Sequence, residues 1–235
     1  MLARFARLIG MGPELSEQQQ QRLRNWRDLP RGDLAAPLSQ TRCVVVDVET
    51  SGLNLMEDRL ISIGAVAMVN GRIALGDSFS IVLQQSTVSS KENILLHGIG
   101  GSNQTEGVPA ADALLAFLEF LQKDPLIAFH VTFDQTMIQR AMRQYLGFKF
   151  KHAWLDLAYL MPGLNPPLAS RYRSLDDWIN HFNIRNDARH NALADALVTA
   201  QLFQVASDQA KNKKANNYKA LCDLESAQRW VSAVS

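Results

Sequence analysis

CVVVDVE, residues 43–49, decides how this chain is read: a β-branched run of strand length that carries two carboxylates. Side chains two apart in a strand face the same way. Asp47 and Glu49 therefore share one face, and Val44, Val46 and Val48 share the other. Two carboxylates on so apolar a strand are costly unless something positive meets them. Thr50-Ser51-Gly52-Leu53 follows as a turn of flexible backbone at the strand's end. A second strand lies in RLISIGAVAMV (59–69). Asn70-Gly71 is the strongest short hairpin signal, and a third strand falls near Arg72–Leu83.

Downstream the period changes. Leu114, Phe117, Leu118 and Leu121 form an i, i+3, i+4, i+7 stripe, which predicts a helix over 109–122 opened by Pro109. Pro125–Phe129 reads as a short buried strand, and 134–146 as a helix with Met137, Ile138, Ala141 and Tyr145 inward. Ser174 is placed to N-cap a helix carrying Leu175, Trp178, Ile179 and Phe182 on one face. The last core helix runs from about Asn191 to Ala206. Antiparallel strands followed by alternating helix and strand give an α/β domain with a mixed sheet.

Three segments follow from composition. Residues 1–40 are polar, helical in part and broken at Pro30, Gly32 and Pro37, and read as an N-terminal helical arm and linker. Residues 41–207 hold the core. Residues 208–235, with Lys211, Lys213, Lys214 and Lys219, read as a basic, loosely specified tail.

The 235 residues are 47% hydrophobic and 20% charged, enough apolar material for a real core. That excludes a disordered, collagen-like or disulfide-scaffold chain. The formal net charge is +1, so any affinity for nucleic acid must come from local charge. Cys43 and Cys222 lack metal-ligand spacing, which favours a reduced intracellular compartment. No stretch reaches the ~18 apolar residues a membrane helix needs. MLARFARLIG is short, interrupted by Arg4 and Arg7, and reads as neither signal peptide nor anchor. A cytoplasmic protein without membrane contact is expected.

Two further acids bear on the pair in the first strand. Asp134 follows LIAFHVTF, where a buried strand gives way to a helix, the position at which α/β proteins face their ligand crevice. Asp195 lies in the first turns of the last helix, five residues after His190, and the two converge only if His190 sits just before that helix. Four neighbouring carboxylates resist ionising together. Two hard divalent cations, Mg²⁺ or Mn²⁺, remove that penalty. Such a pair, about 3.5–4 Å apart, stabilises both the attacking and the leaving oxygen of an in-line phosphoryl displacement. A histidine is the natural base for the water nucleophile at neutral pH, and His190 is the candidate.

VDVETSGL, FHVTFD and RHNALAD, in that order, resemble the three motifs of the DEDDh (DnaQ-like) 3′–5′ exonucleases, the family of the proofreading epsilon subunit of bacterial replicative DNA polymerase. The resemblance runs from residue 42 to about 206. It implies a ribonuclease H-like mixed five-stranded sheet flanked by helices, and removal of nucleotides one at a time from a 3′ end. It further implies that Asp47, Glu49 and Asp195 bind the metal at the scissile phosphate, that Asp134 completes a second metal site, and that His190 is the base. Thr50, Gly52 and Leu53 match the turn that holds the terminal nucleotide. Glu92 and His97, in KENILLHGI, match a glutamate and a histidine that contact substrate, and Phe133, of the second motif, is expected to bind substrate with them.

The chain departs from the family in two places. Phe129-His130 stands where the family usually has His-Asn, which puts His130 in place of a substrate-facing amide. The 40-residue arm has no counterpart in the epsilon subunit. Asp156, in WLDLAYL, reads as structural, and His152 and His181 as surface or packing residues. The expected substrate is a single-stranded or frayed 3′ end, of DNA before RNA, with a polymerase subunit as a candidate partner. The alternatives are an RNA 3′-end trimming exoribonuclease, or a catalytically idle module of the same fold that binds nucleic acid or a polymerase. All five catalytic positions are intact, which separates the enzyme readings from the last.

Overall fold

A computed structural model describes residues 13–186 and 188–234. The stretch MLARFARLIG lies outside them. The central strand is β1 (Arg42–Thr50), flanked by β2 (Leu60–Val69), β3 (Arg72–Val82), β4 (Leu126–Ala128) and β5 (Trp154–Asp156) in the order β3-β2-β1-β4-β5. The first three strands are antiparallel and joined by the expected hairpin, with Asn70 and Gly71 both at positive φ. β4 and β5 run parallel to β1. The sheet is the mixed, five-stranded, ribonuclease H-like one. β5 was not separately visible in the sequence, because three residues are too few to show a period.

The alternation along β1 sorts the core into two layers. Val44, Val46 and Val48 face α4 (Ala110–Leu121) and α5 (Val131–Tyr145), among Leu114, Phe117 and Ile138. Cys43 and Val45 face the opposite layer, where α7 (Leu175–His181) and α8 (Ala192–Lys211) supply Trp178, Val198 and Phe203. Asp47 and Glu49 continue the Cys43–Val45 row, so they emerge beneath α8. Ser174 caps α7 through a capping box with Asp177, as its position before the apolar stripe predicts.

The described residues on either side of the core are more ordered than composition suggests. α1 (Glu17–Asp28) buries Leu23 and Trp26 against the first layer. Arg22 bridges it to Asp112 at 3.2 Å and Glu119 at 2.7 Å on α4. Instead of a loosely specified tail, α8 continues to Lys211 and α9 (Tyr218–Val234) follows. The lysines mislead because Lys211, Lys213, Lys214 and Lys219 all point to solvent. Between and beyond them, Ala215, Tyr218 and Leu221 form a stripe that closes the second layer. The Tyr218 hydroxyl donates to the Leu126 carbonyl of β4 at 2.6 Å. Two short helices, α2 (Lys91–His97) and α3 (Gly101–Thr105), follow β3, and α6 (Leu157–Leu164) follows β5.

Candidate active site

The site begins with a missing side chain. Gly64 on β2 is the register partner of Asp47 on β1. A Cβ built on it would lie 2.1 Å from the Ala192 carbonyl carbon and the Leu193 nitrogen. The first turn of α8 therefore rests on bare β2 backbone. That close approach lets Asp195, at the start of α8, reach the carboxylates of β1. One oxygen from each of Asp47, Glu49 and Asp195 falls within 4.8 Å of the others.

Helix α8 starts where it does because Asn191 caps it, its side chain accepting from the Ala194 N–H at 3.1 Å. His190 stands just outside, half-buried and in the left-handed region at φ 63°. Its backbone N–H donates to Asp195 Oδ2 at 3.0 Å. The five-residue spacing thus closes through the backbone turn before the helix. Three donors meet Asp195 and leave Oδ1 with acceptor capacity to spare: His190 N, Asn186 Nδ2 at 2.5 Å and Arg189 Nη1 at 2.8 Å.

Asp134 occupies the first turn of α5, buried, outside the three that converge but near enough for its charge to act on Asp47. Burial and the charges of Asp156 and Glu49 push its carboxyl well up, against hydrogen bonds from its own and the Val48 backbone. Asp47 is pushed well above the ordinary carboxylate range by burial, then by Asp134, Asp195 and Glu49. Burial and Asp195 raise Glu49 to about 8, and Arg189 opposes both shifts. Acids so crowded ionise readily when a cation takes the place of the protons they release to water, and an all-oxygen donor set suits a hard divalent one.

The structure finds more in Asp156 than the sequence does. It lies at the end of β5, buried, and receives four donors. His130 N at 2.9 Å and Ala158 N at 3.0 Å reach Oδ1; Val131 N at 3.1 Å and Arg229 Nη2 at 3.0 Å reach Oδ2. This carboxylate holds the turn from β4 into α5, including His130 at φ 64°, and so sets the height of Asp134. Arg229 comes from α9, where it pairs also with Glu225 and lies 4.1 Å from the Tyr159 ring centroid.

The remaining candidates form a rim of mixed character. Thr50 is buried, its hydroxyl donating to the Gly52 carbonyl at 2.6 Å, and its own carbonyl accepts from Asn93 Nδ2 at 3.0 Å. A Cβ on Gly52 would meet the Asp58 carboxylate at 2.4 Å and push it from its bonds with Ser51 Oγ and Asn54 N. Leu53 is 85% exposed, an open apolar side chain beside the carboxylates' end of β1. His130 is exposed, 4.9 Å from the Phe129 ring and edge-on to it, so it is not a core histidine. Phe133 packs partly against the first core layer.

Glu92 is exposed at the start of α2, in reach of bulk solvent. His97 is buried instead, with Nδ1 accepting from the Ile99 N–H at 3.0 Å and burial lowering its pKa. Arg189, Asn186, Asn93 and Arg229 are site residues that sequence reading missed. Only Arg189, next to His190 in the third motif, carried any local signal.

A ribonuclease H-like sheet delivers carboxylates from its central strand and a crossing helix to one point, an oxygen donor set that could hold a metal ion. The chain belongs to the exonuclease family: the RNase_T exonuclease model matches residues 44–203. A DNA polymerase III PolC-type protein of Thermotoga petrophila is 29% identical over 160 residues, covering 68% of this chain and 11% of that protein. A DNA polymerase III subunit epsilon-like protein of Rhodobacter capsulatus is 29% identical over 170 residues, covering 71% of this chain and 24% of that one. The chain thus spans about a tenth to a quarter of the length of these relatives. Among solved structures, E. coli exonuclease I in complex with a dT13 oligonucleotide shares the fold at a TM-score of 0.61 and 16% identity, over 74% of this chain and 42% of that one. No helix among the described residues is long and apolar enough to cross a membrane.

Proposed function

We propose that this protein is a metal-dependent 3′–5′ exonuclease that hydrolyses the terminal phosphodiester of DNA and releases nucleoside 5′-monophosphates. The convergence of Asp47, Glu49 and Asp195 within 4.8 Å carries the reading. Together with Asp134, these side chains are the ones that would hold two divalent cations, Mg²⁺ or Mn²⁺. Bound cations supply Lewis-acid stabilisation of the charge that develops on the phosphate oxygens. Everything else falls to the chain's own groups.

His190 accepts the proton of the attacking water, an assignment supported by its tether to Asp195 and its access to solvent. The Thr50–Leu53 turn offers backbone groups and the open face of Leu53 to the terminal nucleotide. Glu92 and His130 stand exposed where incoming strand would pass, and His97 and Phe133 support the loops that carry them. The polymerase III relatives favour DNA over RNA and a polymerase as partner. Two free cysteines accord with a cytoplasmic setting.

The test uses a 5′-labelled single-stranded DNA and the matching RNA, with Mg²⁺ or Mn²⁺, comparing wild type with Asp47→Ala. The expected result is a ladder shortening from the 3′ end, faster on DNA and absent in the variant. A faster RNA ladder would reassign the substrate to RNA trimming. No degradation of either strand under either metal would overturn the enzyme reading in favour of an idle binding module.

A further inference from the structure

The other end of the sheet carries a cavity. β1, β4 and β5 run parallel, and the carboxylates gather near the C-terminal end of β1. Where β4 and β5 begin lies a cavity of about 540 Å³, a volume typical of ligand sites. Arg27, Arg31, Lys123, Lys149 and Lys151 line it, with no Asp or Glu in its wall. They come from three separate places: the end of α1 and its linker, the loop before β4, and the loop before β5.

A basic patch is ordinarily a solvated surface whose charges keep apart. This one is concave, and Arg27 and Arg31 lie close enough to Lys123 to act on its charge. Lys123 is partly buried, with Nζ 3.3 Å from the Trp26 ring centroid. Its ammonium is held below its ordinary pKa by burial, Arg31 and Arg27, with Asp28 pulling the other way. Burial, Lys123 and Arg31 hold His152 down as well, against its hydrogen bond to the Asp124 carbonyl. None of the five cations makes an ion pair among the described residues. Holding five like charges around one cavity costs free energy that an anion returns, and a cleft of one sign concentrates such anions.

We propose that this cavity binds an anion carrying several phosphates, at a site distinct from the catalytic carboxylates. Recognition is through phosphate. Lys123 covers the Trp26 ring and Arg27 lies over the Phe148 ring, 5.2 Å from its centroid, so a cation already occupies one face of each of these rings. Two sources share this chemistry: a free polyphosphate, and the backbone of a nucleic acid that reaches past the catalytic end. The proposal stands whether or not the chain cleaves DNA.

The test is carried out in chelator on the full chain, so that no hydrolysis intervenes. Inorganic tripolyphosphate is titrated by calorimetry into wild type, into Lys149→Glu/Lys151→Glu, and into Asp47→Ala. These lysines are exposed, so the double variant should melt with wild type. The expected result is one site per chain, weakened at least tenfold in the double variant and unchanged in Asp47→Ala. A single-stranded oligonucleotide is then bound across a salt series. A backbone source flattens the salt dependence in the double variant by about 1.4 units of slope, roughly 0.7 per lost phosphate contact. Tripolyphosphate binding lost in the double variant with an unchanged oligonucleotide slope assigns the site to free polyphosphate. If the double variant alters neither ligand, the proposal is overturned.

Discussion

Arg189 Nη1 lies 2.8 Å from Asp195 Oδ2 while its Nε lies 2.7 Å from Asp176 Oδ1, so one guanidinium ties the carboxylate trio to α7. The arginine thereby places a positive charge on one of the three carboxylates that would hold a cation. It also offsets the repulsion that raises Asp47 and Glu49.

This pairing makes Arg189 a competitor of the metal. A partly exposed pair contributes on the order of 1 kcal/mol, which converts to about a fivefold change in an equilibrium constant. Arg189→Gln is expected to lower the Mg²⁺ concentration giving half-maximal activity by about that factor. Activity measured across a Mg²⁺ series checks it. A higher Mg²⁺ requirement in the variant would show that the arginine's larger role is to hold the loop before α8.

The raised carboxyls give metal-free protein a characteristic pH response. Glu49 rises from an ordinary value near 4.5 to about 8, and Asp47 rises too, so the folded state binds protons more tightly than the unfolded chain. Their contribution to stability is complete below the unfolded values and is lost as pH rises toward 8. Melting in chelator should therefore fall between pH 5 and pH 8. Excess Mg²⁺ should restore more stability at pH 8 than at pH 5, because binding there displaces fewer protons. Asp47→Asn should flatten the chelator curve; a slope equal to wild type would refute the assignment.

Much of this site was legible because its acids sit on regular elements. Alternation along β1 put Asp47 and Glu49 on one face, and Asn191 fixed the start of α8 so that Asp195 and His190 could be placed. What stayed hidden depends on contacts distant in sequence. Arg229 meets Asp156 across 73 positions, and nothing in either neighbourhood announces the other. The C-terminal helix was obscured for a different reason: the exposed lysines just ahead of it dominate the composition of the segment, while a few apolar residues decide its packing.

Gly64 is the cheapest place to break the site without touching an acid. A methyl there overlaps the α8 backbone at 2.1 Å, and backbone cannot swing aside as a flexible side chain does. Overpacking of this kind costs about 1–3 kcal/mol. Gly64→Ala is expected to reach the upper end of that range and to reduce activity by at least a hundredfold, as Asp195 is lifted from β1. Gly76→Ala, where nothing lies within 4 Å, is the control and should leave both quantities unchanged. Melting temperature and nuclease rate, read together, decide the matter. Near-wild-type activity in Gly64→Ala would show that α8 can shift without cost to the chemistry.

Asp156 is expected to behave as a positioning residue for Asp134. Asp156→Ala strands three backbone N–H groups and Arg229, each hydrogen bond to a charged group being worth about 1.5–3 kcal/mol. That substitution risks global unfolding. Asp156→Asn is the sharper experiment, because the amide has nearly the same shape. Its oxygen can keep His130 N and Ala158 N, while its NH₂ faces Val131 N and the Arg229 guanidinium with a donor where an acceptor stood. The turn into α5 then loosens on one side. The expected result is a fold retained at lower melting temperature, with kcat reduced about ten- to a hundredfold and KM little changed, since the defect lies under a carboxylate rather than at the substrate rim. Arg229→Gln removes one donor of the four from a half-exposed side chain and should lose about 1 kcal/mol of stability with kcat near wild type. If Asp156→Asn instead raises KM at constant kcat, its role lies with His130 and the strand it faces, and Asp134 is held by other contacts.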